Sequence, residues 1–209
     1  MKRIALYFMM AVSLFMCTAI AKAQTDELLE SLYGKFASSC VELDYDYVTR
    51  MSGVKVTGSG VLYVQGNMWH IEGNGIEIWC DGKTVWTVDP YAEEVIIESV
   101  SEEDAGELVN PALMFVRMKD HFNVSKIVDS ADGKASIYVL EPKSDIGMNF
   151  FNVEILKSSA QIRGGLFAME DGNEVKITVS TMKQVEKKSA TFFKPSQTFN
   201  SSWIVTDLR

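Results

Sequence analysis

Apolar residues recur at helical spacing only near the start of the chain. Leu28, Leu29, Leu32, Tyr33 and Phe36 share one face of a stretch that Thr25-Asp26 is placed to cap, which predicts an amphipathic helix over 25–38. From Val41 the period drops to two: Val41, Leu43, Tyr45 and Tyr47 alternate with Glu42, Asp44 and Asp46, the mark of a half-exposed strand. Further strands are predicted at 59–65, 68–72, 76–80, 84–88 and 94–99, with hairpin turns at Gly66-Asn67, Asn74-Gly75 and Asp81-Gly82. Residues 101–122 break this rhythm. Ser101-Glu102-Glu103-Asp104 reads as a helix start, and Pro111 opens a second short helix carrying Leu113, Met114, Phe115, Val116 and Met118. Strands resume at 124–129, 136–141, 149–157, 161–170 and 174–185, with turns at Asp132-Gly133 and Asp171-Gly172, and a last strand at 203–207. The result is an α+β chain of roughly eleven antiparallel strands whose large sheet must curl or close.

Many of these strands are apolar at both parities. In IWCDGKTVWTVDP, residues 78–90, a two-residue Asp81-Gly82 loop sets Cys80 opposite Lys83, Trp79 opposite Thr84 and Ile78 opposite Val85. Trp79 and Trp86 then share one face, Ile78 and Val85 the other. A sheet with one wet side alternates apolar and polar, so this hairpin buries both faces. One face packs on helix or core; the other either fills a barrel or lines a ligand cavity, and periodicity alone leaves both open.

Lys2 and Arg3 precede the apolar run 4–20, which ends in Ala21-Lys22-Ala23, the order of a cleavable secretory signal. The expected mature domain is 24–209. Phe15 and Met16 before Cys17 lack the small residues that a lipid-modified cysteine needs, and no later run has the roughly 20 apolar residues that span a bilayer. The formal charge of -8 becomes -11 once Lys2, Arg3 and Lys22 are removed, which argues against nucleic acid or anionic bilayers as partners. Cys40 and Cys80 remain, either bridged in an oxidising compartment or as two small buried side chains.

Catalytic chemistry finds little support. His70 and His121 have no metal-ligand spacing and no Gly-x-Ser-x-Gly elbow, and His70, between Trp69 and Ile71, reads as a sheet residue. The acids Glu93-Glu94 and Glu102-Glu103-Asp104 read as solvated turns and first helical turns, and the cysteines lack Cys-x-x-Cys spacing. The expectation is a binding protein that needs no cofactor and no metal.

Gly60-Val61-Leu62-Tyr63-Val64, Trp69-His70, Asp81-Gly82-Lys83-Thr84-Val85-Trp86, Asp89-Pro90 and Glu94-Val95, in that order, resemble the signature of the LolA family, periplasmic carriers of outer-membrane lipoproteins. Asn110-Pro111-Ala112-Leu113, Leu140-Glu141-Pro142-Lys143 and Phe192-Phe193-Lys194-Pro195 extend the resemblance over nearly the whole mature chain. It implies an incomplete, half-open barrel of about eleven antiparallel strands, with an N-terminal helix and lid helices over an apolar concave face. It also implies a periplasmic monomer that takes acylated lipoproteins from an inner-membrane exporter to an outer-membrane acceptor. On that basis Leu62, Val64, Trp69, Ile71, Trp79, Trp86 and Val88 are the expected cavity residues, and Pro111, Leu113, Met114 and Phe115 the expected lid. In the family an arginine commonly precedes the tryptophan of the second strand and bonds to the lid; Met68 stands here, so that latch is missing, and Met68→Arg is expected to fold normally but slow cargo release. The rival readings are a generic lipid or glycolipid binder on the same fold, a protein-binding envelope regulator and, more distantly, a hydrolase.

Overall fold

The computed structural model describes residues 27–51, 53–100, 114–145 and 147–209, with the side chains at 114, 116 and 117 excepted. The expected signal peptide, the Thr25-Asp26 cap, the helix start at Ser101, and Pro111 and Leu113 lie outside the described residues, as does the Met114 side chain.

A helix, α1, covers 27–38, and is followed by β1 (Cys40–Met51), β2 (Val54–Gln65), β3 (Met68–Gly73), β4 (Ile76–Cys80), β5 (Thr84–Asp89) and β6 (Glu94–Ser99). After α2 (Met114–His121) come β7 (Phe122–Asp129), β8 (Ala135–Pro142), β9 (Met148–Leu156), β10 (Ile162–Met169) and β11 (Glu174–Val185), then a 3-10 turn (Ala190–Phe193) and β12 (Ile204–Asp207). All twelve strands form one open sheet in the order β12-β6-β5-β4-β3-β2-β1-β11-β10-β9-β8-β7. This is the expected half-open architecture, and the last strand, predicted at 203–207, is β12, which departs from the antiparallel expectation by running parallel to β6.

β1 and β2 are longer than the sequence pattern suggests because two glycines that look like breaks serve as a floor. Gly58 pairs with Tyr47 and Gly60 with Tyr45. A Cβ on Gly60 would stand 2.9 Å from the Tyr45 hydroxyl, so the missing side chains let both rings lie across the sheet. Asn74 Nδ2 donates to the Tyr47 hydroxyl, tying the β3–β4 turn to β1. That turn has the expected two residues, both with positive φ, Asn74 at 54° and Gly75 at 80°.

The β4–β5 hairpin departs from expectation in register. Cys80 pairs with Val85 and Trp79 with Trp86, leaving a four-residue loop, 81–84. The Asp81 carboxylate causes the change: Oδ1 accepts from the backbone N–H of Lys83 (3.0 Å) and Thr84 (2.9 Å), and Oδ2 lies 2.8 Å from Lys194 Nζ. A loop longer by two preserves parity, so the faces remain as read.

Pairing defines those faces across the sheet. Leu43 stands opposite Leu62 and Met182, Leu62 opposite Ile71, and Ile71 opposite Ile78. On this inner face lies the main core, which joins Leu43, Leu62, Val64 and Ile71 to Tyr138, Phe151, Val153, Phe167 and Ile177 and receives Leu32 and Phe36 of α1 and Phe115 and Met118 of α2. Both helices therefore pack on one side. The outer face carries a second cluster, Trp79, Val88, Val95 and Ile97, with Trp86, Phe199 and Trp203 packed against it.

Candidate functional site

The inner face is built from strand alternation. Along β1–β4 and β8–β11, alternation places no charged side chain on it among the described residues. Leu62 and Val64 are fully buried and Ile71 and Trp69 nearly so. α1 covers part of this surface through Leu32 and Phe36, and Lys35 Nζ anchors it by donating to the carbonyls of Ser159 and of Ala160 (3.1 Å). α2 lies beside it: Lys119 Nζ is 3.7 Å from the Glu30 carboxylate and 5.4 Å from the Tyr33 ring centre. Burial, followed by the charges of Glu30 and Asp120, pushes the Tyr33 hydroxyl up to about 12.

Phe115, an expected lid residue, is 1% exposed and packs on Phe151 at 5.6 Å and Phe167 at 6.4 Å between ring centres. Toward the end of the β1–β2 hairpin the apolar surface runs out from under the helices. Tyr47 and Val175 are half-buried against the core, whereas Met51, Val54 and Val56 are 51%, 62% and 48% exposed. Sequence reasoning missed this rim. The signal was present, since Met51 pairs with Val54 and Val56 alternates with Lys55 and Thr57, but short valines among Gly, Ser and Lys do not stand out.

The seven expected cavity residues fall on two faces. Leu62, Val64, Trp69 and Ile71 stand on the inner face, with Ile78, Cys80 and Val85. Trp79, Trp86 and Val88 stand on the outer face, so the two sets do not line one cavity. What covers the outer set is the chain's own C-terminal strap. Gln65 receives the strap through a pair of bonds with the Lys188 backbone (3.1 and 2.8 Å), Phe192 meets Tyr63 and His70 edge-on at 5.1 and 5.3 Å, and Phe199 meets Trp203 at 5.1 Å. Met68, opposite Gln65, alternates onto this outer face too, so an arginine there would start away from the helices.

Cys40 and Cys80 are buried and do not bridge. Alternation explains this, because Cys80 joins the inner core while Cys40 faces outward, with β2 and β3 between them. Among the described residues, no three His, Cys, Asp or Glu side chains are grouped to hold a metal. His70 lies buried under the strap, stacked on Trp79 at 4.8 Å, and burial pulls its pKa down to about 4.

The chain matches the family model of the outer membrane lipoprotein carrier protein LolA over residues 48–196, more than half its length. It is 25% identical over 205 residues to an outer-membrane lipoprotein carrier protein of Shewanella baltica, covering 92% of this chain and 91% of the relative. It is 24% identical over 208 residues to that of Shewanella frigidimarina, with the same coverage. Among solved structures, an uncharacterized conserved protein from Thermus thermophilus superposes with a TM-score of 0.55 at 13% identity, over 88% of this chain and 98% of the other, which shows a shared fold. A LolA superfamily protein from Nitrosomonas europaea gives a TM-score of 0.48 at 11% identity, over 81% and 97%. With its open twelve-stranded sheet and apolar, helix-bearing inner face, this chain belongs to the LolA family of outer-membrane lipoprotein carrier proteins.

Proposed function

We propose that the protein is a periplasmic carrier that shields the acyl chains of lipoproteins on its inner face. The observation that carries this reading is the inner face of β1–β4 and β8–β11, uncharged among the described residues, which runs from a buried centre out to exposed Met51, Val54 and Val56. Shielding alone would suffice for this role: each acyl methylene held out of water is worth about 0.8 kcal/mol, so a triacylated anchor cannot cross an aqueous space bare. No covalent step is needed. A carrier must also release its cargo, and a surface covered, among the described residues, by two short helices rather than by a second sheet suits reversible occupation. In this reading α2 is the lid, and Phe115 leaves the Phe151 and Phe167 rings when cargo enters. Residues 1–23 direct secretion, an inner-membrane exporter loads the carrier, an outer-membrane acceptor unloads it, and the carrier acts as a monomer.

Native mass spectrometry of residues 24–209 mixed with a triacylated lipoprotein and with its unacylated form tests this reading. A one-to-one complex with the acylated form alone is expected. Retention of a free phospholipid with no affinity for the lipoprotein would make the protein a generic lipid binder instead, and binding of the unacylated form would point to a protein-recognition role.

A further inference from the structure

Away from the inner face, the outer end of the β3–β4 hairpin holds a second concavity of about 490 Å³, lined by Glu72, Gly73, Gly75, Ile76, Glu77, Pro90 and Tyr91. Its charges are oddly placed. Glu72 and Glu77 are directly opposed cross-strand partners, an arrangement that costs stability unless a counter-charge intervenes. Among the described residues neither carboxylate has a lysine or arginine within ion-pair distance. The group that both approach is His70, whose Nδ1 lies 3.6 Å from Glu72 Oε1 and whose Nε2 lies 3.6 Å from Glu77 Oε2.

That imidazole is 7% exposed and neither nitrogen has a hydrogen-bond partner. Burial holds its pKa near 4, so it is neutral near pH 7 and supplies no positive charge to the pair. A neutral imidazole carries one N–H and one bare lone pair. Whichever tautomer is present, one nitrogen points its lone pair at a carboxylate that has only lone pairs to offer. Burial and the charge of Glu72 also raise the pKa of Glu77, as expected where two carboxylates share a site without a cation. The arrangement lacks a positively charged group with several N–H donors.

The remaining walls suit such a group. Tyr91 is 89% exposed, its ring lies over Gly75, where a Cβ would stand 2.9 Å from it, and its backbone N–H donates to Asp89 Oδ1 at 2.9 Å. An aromatic face beside two carboxylates binds guanidinium or ammonium groups by cation–π contact and charge-assisted hydrogen bonds. Guanidinium fits best, because its fork of donors reaches two acceptors at once.

We propose that the pocket of Glu72, Glu77 and Tyr91, with His70 buried behind the two carboxylates, is a docking site for an arginine side chain presented by a protein partner. The side chains of Glu72 and Glu77 are 50% and 42% exposed, so the pocket is open on one side. A free small cation would keep much of its water there, whereas a side chain delivered by a surface arrives already oriented. Glu72 and Glu77 alternate with the inner residues Ile71 and Ile78 and so stand on the face away from α1 and α2.

The test is titration of the purified protein with N-acetyl-arginine amide, read on the histidine ring resonances by NMR, with the uncharged isostere N-acetyl-citrulline amide as control. Arginine amide is expected to shift the His70 signals saturably and to leave those of His121 in place, with citrulline amide silent. Glu72→Gln and Glu77→Gln should each weaken binding at least fivefold. Tyr91→Leu should weaken it, and Tyr91→Phe should restore it. The glutamine and phenylalanine changes keep side-chain size, Tyr91 is exposed, and an unmoved His121 spectrum verifies that each variant is folded. Equal binding of citrulline amide, or undiminished binding by both glutamine variants, would overturn the site. Tighter binding of spermidine than of a Gly-Arg-Gly peptide would overturn its assignment to a protein's side chain.

Discussion

Gly165 and Phe115 meet across a space that a side chain would fill: a Cβ at Gly165 would lie 3.0 Å from Phe115 Cε1 and 2.9 Å from Phe151 Cε2. The seat of α2 on the inner face is thus cut into β10 by the absence of a side chain. Gly165→Val should unseat the helix or strain the core, at about 1–3 kcal/mol. Urea unfolding monitored by fluorescence measures the loss, and hydrogen exchange in 114–121 should accelerate more than in β1.

The separation of faces gives a paired prediction. Trp79 is buried in the outer cluster, so Trp79→Ala should cost about 3–5 kcal/mol yet leave the affinity of the folded protein for an acylated ligand within about twofold. Val56→Asp, on the exposed inner rim, should do the reverse, changing stability by no more than about 0.5 kcal/mol and weakening acyl binding about tenfold. Chemical denaturation and ligand titration on both variants decide this. Equal losses of binding would show that the outer cluster also meets cargo.

This division marks where the sequence was legible. Alternation in β1, the Asn74-Gly75 turn and the placing of Trp79 and Trp86 on one face could all be read, because period two and turn chemistry are local. What covered the second apolar face could not. Phe192, Phe199 and Trp203 lie a hundred or more residues beyond the strands they cover, and no local pattern couples a strap to its surface. The loop at Asp81 also read two residues short, because the Lys194 that holds its carboxylate comes from that same strap. The exposed rim of Val54 and Val56 escaped notice because Gly58 and Gly60, which make room for two tyrosines, look like the end of a strand.

His70 should make stability depend on pH. Its pKa falls from 6.5 to about 4 on folding, so between those values the unfolded chain binds more protons and acid favours unfolding. Stability is fully present above about 6.5, declines as pH falls toward 4, and levels off below that, a loss of roughly 3 kcal/mol from this residue at 1.36 kcal/mol per unit. Glu77, whose pKa is raised, works in the opposite direction. Urea midpoints at pH 7 and pH 5 should therefore converge in His70→Phe relative to the parent.

Arg163 of β10 ties the β7–β8 turn to β9 by pairing with Asp132 at 2.7 Å and with Glu154. This contact and the bond from Ser130 hold the Asp132 carboxyl far below its usual range. In Arg163→Met, carboxylate NMR should show Asp132 titrating closer to an ordinary aspartate. An unmoved titration would assign the depression to Ser130 and the Lys134 backbone instead.

The pairing of β1 with β11 at the centre of the sheet bears on how the chain reaches this structure. Cys40 lies against Val185 and Arg50 against Glu174, so the central seam joins segments that are distant along the chain, whereas strands 1 to 6 and 7 to 11 follow one another as local hairpins. Local hairpins form fast, and closing a long intervening loop is slow. The two meanders should therefore form early, each with one greasy side bare, and the seam should close last. Until then the chain is at its most prone to aggregate. The continuous apolar surface is the final product of folding, and a chain cut short before β11 has two separate halves of it.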